Sequence, residues 1–152
     1  AELQGRGIEA AETIAALADG SLGRAYALAG EGLALRDDAL SVLAELPALS
    51  AEDIWQRAER IGARTHEECT AWLGYLQMGM RDLLLLSEDR DAPQLFHPDR
   101  RAELGALLAH MTRPQIFALM DESRTLLRRL GANVNPALQA EAFLIRARQQ
   151  FA

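Results

Sequence analysis

No lysine occurs anywhere in the 152 residues, so all 16 basic side chains are arginine. A Walker A loop needs a lysine that reaches the nucleotide phosphates, and Schiff-base chemistry needs a lysine amine. Both are excluded for this segment. The single cysteine, Cys69, allows no internal disulfide, so a reducing, cytoplasmic setting is the default expectation. No apolar stretch approaches the roughly 18 residues of a membrane span, and Ala1 to Arg6 has neither the basic start nor the apolar core of a signal peptide. Positive charge is in deficit as well. A net charge of −6 and a pI near 5.1 leave no basic footprint for a phosphate backbone, so no direct nucleic-acid binding is expected.

What is present is ordinary globular material, 49% hydrophobic and 25% charged, enough for one domain or one domain plus part of another. Alanine and leucine dominate, Val, Ile, Thr, Tyr and Phe are sparse, and no alternating strand pattern is found. An all-α protein of about seven or eight helices is predicted. The first helices run from Ile8 to Ala18 and from Ser21 to Ala29, and a third spans Leu33 to Leu46 before Pro47. Ser50 opens a helix to Ile61, and Thr65 opens the longest one, to Ser87. The buried stripe of that long helix reads Cys69, Trp72, Leu73, Leu76, Met80, Leu83 and Leu84. Pro98 starts a helix to His110, and Thr112 one to Leu130, with Ile116, Leu119, Met120, Leu127 and Leu130 inward. Asn135-Pro136 caps the last, to Phe151. The joint at Leu46-Pro47-Ala48 is the boundary candidate. Residues 1–46 are too few to bury a core alone and look like the remainder of a larger unit lying upstream.

Little catalytic chemistry is offered. His66, Glu67 and Cys69 are close in sequence, but His97 and His110 fall at separate element ends, so no metal is expected. Cys69 sits on an apolar stripe, where thiols are inert filler, although His66 one turn away completes a dyad on paper. Asp37-Asp38 and Glu67-Glu68 are adjacent pairs whose side chains point apart on a helix, as on a solvated face. Arg128 and Arg129 complement the dipole at a helix C-terminus.

Two stretches carry a resemblance. Leu17-Ala18-Asp19-Gly20-Ser21-Leu22-Gly23-Arg24-Ala25-Tyr26-Ala27-Leu28 resembles the end of the small helical lid domain of bacterial clamp-loader subunits. Ala132-Asn133-Val134-Asn135-Pro136, followed by Leu138, Glu141 and Leu144, resembles the capping turn and last collar helix of the delta prime type in DNA polymerase III. The resemblance implies that residues 1–46 are the C-terminal helices of an AAA+ lid and 47–152 a helical collar, the oligomerisation domain. It implies a place in DNA replication, helping hold the pentamer that loads the sliding clamp onto primed DNA. Partners would be delta and gamma or tau subunits, and ATPase activity would belong to other subunits, with no cofactor and no catalysis in this segment. Gly20, Ser21 and Gly23 form the lid motif, and Arg24 takes the position of a nucleotide-sensing arginine.

A helical domain without a convergent polar cluster acts by presenting surface. Candidate subunit contacts are Leu138, Ala142, Phe143, Leu144, Ile145 and Phe151 on the last helix, with Tyr75 and Met78 on the long one. Surface of this kind leaves an isolated piece open to self-association. The competing expectation is a free-standing bundle with a ligand pocket lined by Trp55, Trp72 and the Met78–Met80 region.

Overall fold

The computed structural model describes residues 32–131 and 134–151. Within them the chain is all-helical, as expected, with α1 Leu33–Glu45, α2 Ala51–Gly62, α3 His66–Glu88, α4 Arg101–Leu107, α5 Arg113–Leu130 and α6 Pro136–Gln149. The two N-terminal helices expected before α1 lie outside the described residues. No described helix is long and apolar enough to cross a membrane.

Local capping chemistry sets the starts. Ser50 and Asp53 form a reciprocal box, the Asp53 amide donating to Ser50 Oγ (3.1 Å) and the Ser50 amide to Asp53 Oδ2 (2.9 Å). The Asp53 carboxyl is held below its usual range by these bonds to Ser50. Thr112 and Gln115 repeat the box at α5, with Pro114 in the first turn. At α3 only half of it forms. Thr65 Oγ1 accepts from the Glu68 amide, but the Glu68 carboxylate bonds the threonine hydroxyl instead of its amide. Asn135 caps α6 by accepting from the Leu138 amide (3.2 Å). The helix expected from Pro98 to His110 is shorter: a 3-10 turn, Pro98–Arg100, leads into α4, and i→i+3 bonds tighten Leu108 to His110 into turns.

The long α3 runs through the core. Cys69, Trp72, Leu73, Leu76, Met80, Leu83 and Leu86 are buried along it, with α1, α5 and α4 packed around. Leu86 replaces Leu84 on that stripe, Leu84 being only half-buried. On the other side α6 packs against α5 and, most extensively, against α2. Two glycines permit close approaches. A Cβ on Gly79 would lie 2.7 Å from Leu40 Cδ2 of α1, and one on Gly62 would lie 2.6 Å from Ala137 Cβ and 2.7 Å from its backbone. Because the end of α2 meets the start of α6 and the two pack along their lengths, they run antiparallel.

The Leu46-Pro47-Ala48 joint is a 3-10 turn. Ala39, Val42, Leu43 and Leu46, from the side assigned to the lid, share one apolar cluster with Leu76, Met80, Leu119 and Phe143. The physical reason is the apolar face of α1, which has α3 as its mate.

Candidate functional site

Buried charge needs partners, and polar groups inside this fold converge in three places. Arg36 is buried in α1 and grips Asp99 with both terminal nitrogens (2.7 and 3.0 Å), while also meeting Asp37 at 2.7 Å. Asp37 in turn accepts from Arg100, which bonds Glu103 at 2.6 Å. The group ties α1 to the turn before α4. Asp38 points the other way, accepting from Trp72 Nε1 (2.9 Å), Arg57 (3.2 Å) and Arg64 (3.1 Å). The Asp37-Asp38 pair does diverge, but Asp38 is no solvated carboxylate: it joins α1, α2 and α3.

A third group has no counterpart in the sequence reading. Asp82 is fully buried in α3 and accepts from the backbone amides of Phe96 and His97, both at 2.8 Å. It makes no ion pair among the described residues. Burial pushes its carboxyl up to about 6, against the lowering pull of the two amides and of Arg81 and Arg101. His97 is fully buried beside it. Its Nε2 lies 3.4 Å from the Tyr75 carbonyl, an acceptor only, so Nε2 carries the proton and Nδ1 is the bare nitrogen of a neutral ring. Burial and the Arg36 charge press this imidazole down to about 4. Arg101 completes the arrangement by donating to the carbonyls of Arg90 (3.0 Å) and Ala92 (2.5 Å), and Arg81 lies 5.4 Å from the Phe96 ring centre. The segment from Arg90 to His97 is therefore clamped from both sides, a structural role.

The nucleophile reading gains nothing from the geometry. Cys69 is buried, its Sγ donates to the Ile61 carbonyl (3.1 Å), and burial raises the thiol above its usual range. His66 stands exposed at the start of α3. Among the described residues no three His, Cys, Asp or Glu side chains form a group able to hold a metal ion. The tryptophan-lined pocket is not formed: Trp55 is 54% exposed, whereas Trp72 is fully buried against Asp38. An apolar cavity among Val42, Leu43, Leu46, Leu76, Met80, Leu119 and Phe143 measures about 10 Å³, the room of a single water.

The candidate contact residues divide sharply. Phe143 and Leu144 belong to the chain's own core, 2% and 0% exposed, because the inward face of α6 is Ala140, Phe143, Leu144 and Ala147. Tyr75 and Phe151 pack on the core edge, and Ala142 and Met78 are half-buried. Leu138, at 59%, and Ile145, at 41%, are exposed. Seven residues apart, they form one outward ridge on α6. Trp55, expected to line a pocket, is exposed instead, because it stands one residue beyond Ile54 of the Ile54, Ala58, Ile61 stripe and so rotates out of the core. Phe117, half-exposed on α5, follows buried Ile116 in the same way. Arg24, Gly20, Ser21 and Gly23 lie outside the described residues.

With that surface in view, comparison with known proteins adds no relative: no family model matches the chain, and no curated protein and no solved structure matches it.

Proposed function

We propose that this chain is a subunit-assembly module of the delta prime type from a bacterial DNA polymerase III clamp loader, helping hold the pentamer that places the sliding clamp on primed DNA. The reading is supported by the lid-like and collar-like motifs together with an all-helical fold. The observation that carries it is the α6 ridge, where Leu138 and Ile145 stand exposed on a helix whose opposite face already completes the core. Large apolar side chains left outside a finished core are the raw material of a protein interface. No catalytic step is assigned to this segment.

The test is native mass spectrometry of the chain mixed with the collar regions of delta and tau subunits from one organism. A defined hetero-complex is expected, lost on Leu138→Glu or Ile145→Glu while helical content is retained. A chain that ignores both collars at every concentration, yet is fully folded, refutes the reading.

A further inference from the structure

Two exposed aromatic residues are set in opposite charge. Trp55 on α2 is 54% exposed and Phe117 on α5 is 50% exposed. Glu52 and Glu59 stand three residues before Trp55 and four after it, on the same side of the helix. Glu141 occupies the same spacings between Leu138 and Ile145. None of these carboxylates is matched by an arginine among the described residues, Glu52 accepting only from Gln56. The antiparallel packing of α2 on α6 brings the two sets to one level. From the Gly62–Ala137 contact, Trp55 lies two turns back and Ile145 two turns on, each about 11 Å away at 1.5 Å per residue. Arg148 on α6 and Arg60 on α2 are exposed cations near this set.

On α5 the outward row through Phe117 reads Arg113, Phe117, Asp121, Arg124, Arg128. Arg113 meets Glu88 at 2.9 Å and Arg124 meets Asp121 at 3.0 Å, in pairs so exposed that they are weak and readily exchanged. Among the described residues Arg128 is bonded only to the Thr125 hydroxyl (3.1 Å). One face is thus apolar with acidic flanks, the other aromatic in a row where three arginines outnumber Asp121 and the Glu88 that meets Arg113.

We propose that these faces bind each other: the Trp55–Leu138–Ile145 ridge of one copy of this chain docks on the Phe117 face of α5 in a second copy. The inference rests on reading the α6 ridge as a docking surface, and adds what covers it when no other subunit is present. Both halves of the charge match are present on the same chain, which favours a second copy over an unrelated partner. A two-fold pairing of the ridge with itself would set Glu59 and Glu141 against their own equivalents, so the contact joins unlike faces, head to tail. Tryptophan and arginine are also the side chains that carry most binding energy at interfaces.

Sedimentation velocity on the full chain tests this with two variants, Glu59→Arg/Glu141→Arg and Arg124→Glu/Arg128→Glu. Wild-type chain is expected to associate with rising concentration and to disperse in high salt. Each variant alone should be monomeric, because one face is spoiled. Mixed, they should regain concentration-dependent association in equal amounts, since every reversed face of one meets an oppositely charged face of the other. A wild-type chain that stays monomeric, variants that self-associate like wild type, or folded variants that fail to pair would each overturn the proposal. The α5 variant keeps the ridge intact. If it still enters a complex with delta or tau collars, the assembly reading stands even where contact between copies fails.

Discussion

Asp82 and His97 should make the stability of this protein depend on pH in opposite directions, so that the wild-type chain hides both effects. The Asp82 carboxyl titrates at about 6 in the fold and near 3.8 when unfolded, so the folded state binds the proton more tightly. Its contribution is present in full below pH 3.8 and is lost as pH rises through 6, a swing of roughly 3 kcal/mol. The His97 imidazole titrates at about 4 folded and 6.5 unfolded, so its contribution is present above pH 6.5 and is lost as pH falls through 4, again by roughly 3 kcal/mol. Between those limits the fold holds an acid and an imidazole that are both neutral, and the unfolded chain holds a carboxylate and an imidazolium. The proton count is nearly the same, so the two slopes cancel. Asp82→Asn removes one of them. Urea denaturation followed by circular dichroism, at several values from pH 4 to pH 7, measures the difference between variant and wild type, in which all other groups subtract out. That difference should move in favour of the variant by roughly 3 kcal/mol as pH rises across the window. His97→Gln should give the opposite swing. Differences that do not vary with pH would show that the buried pair does not titrate as its surroundings require.

Three further outcomes follow from packing and capping. Gly62→Ala drives a methyl group into the Ala137 backbone and should destabilise by about 1–3 kcal/mol, whereas Gly74→Ala, with nothing within 4 Å of the added carbon, should stabilise by about 0.5–1 kcal/mol; thermal melts of the two variants compare them directly. The Cys69 thiol should resist a disulfide reagent at neutral pH and react fully once urea unfolds the chain, as its burial and raised pKa dictate. Ser50→Ala opens the capping box of α2 and should cost about 1 kcal/mol in urea denaturation, with little change in the helical signal at low denaturant.

The helix starts were legible in the sequence because their cause is local. Ser50, Thr65, Thr112 and Asn135 cap within three residues of themselves, and each is found where its neighbours place it. Helix phase was less legible. On α5 the inward positions are Ile116, Leu119, Ser123 and Leu126, so Leu127 turns outward by a single residue, and a leucine pair such as Leu126-Leu127 gives no local reason to prefer one. Phe143 and Leu144 illustrate the same ambiguity on α6, where apolar residues surround the helix and only α2 and α5 decide which ones are covered. Asp82 was invisible for a different reason. Its amide partners come from a segment 14 and 15 residues away, so nothing in its own neighbourhood announces a buried carboxylate. The exposed ridge stands between these cases: Leu138 and Ile145 were named from the sequence, but Trp55 joins them only through the folding of α2 against α6.

That pairing of α2 with α6 also bears on how the chain is made. Its most extensive helix contact joins the second helix to the sixth, with α3, α4 and α5 emerging from the ribosome in between. Until α6 is released, the Ile54–Ala58–Ile61 face of α2 lacks its principal mate, so the described bundle closes only after α6 has emerged. A nascent chain stopped before Pro136 should therefore carry a finished α1–α3 pairing and an unsettled second helix, which makes the emergence of α6 the step at which the described bundle closes.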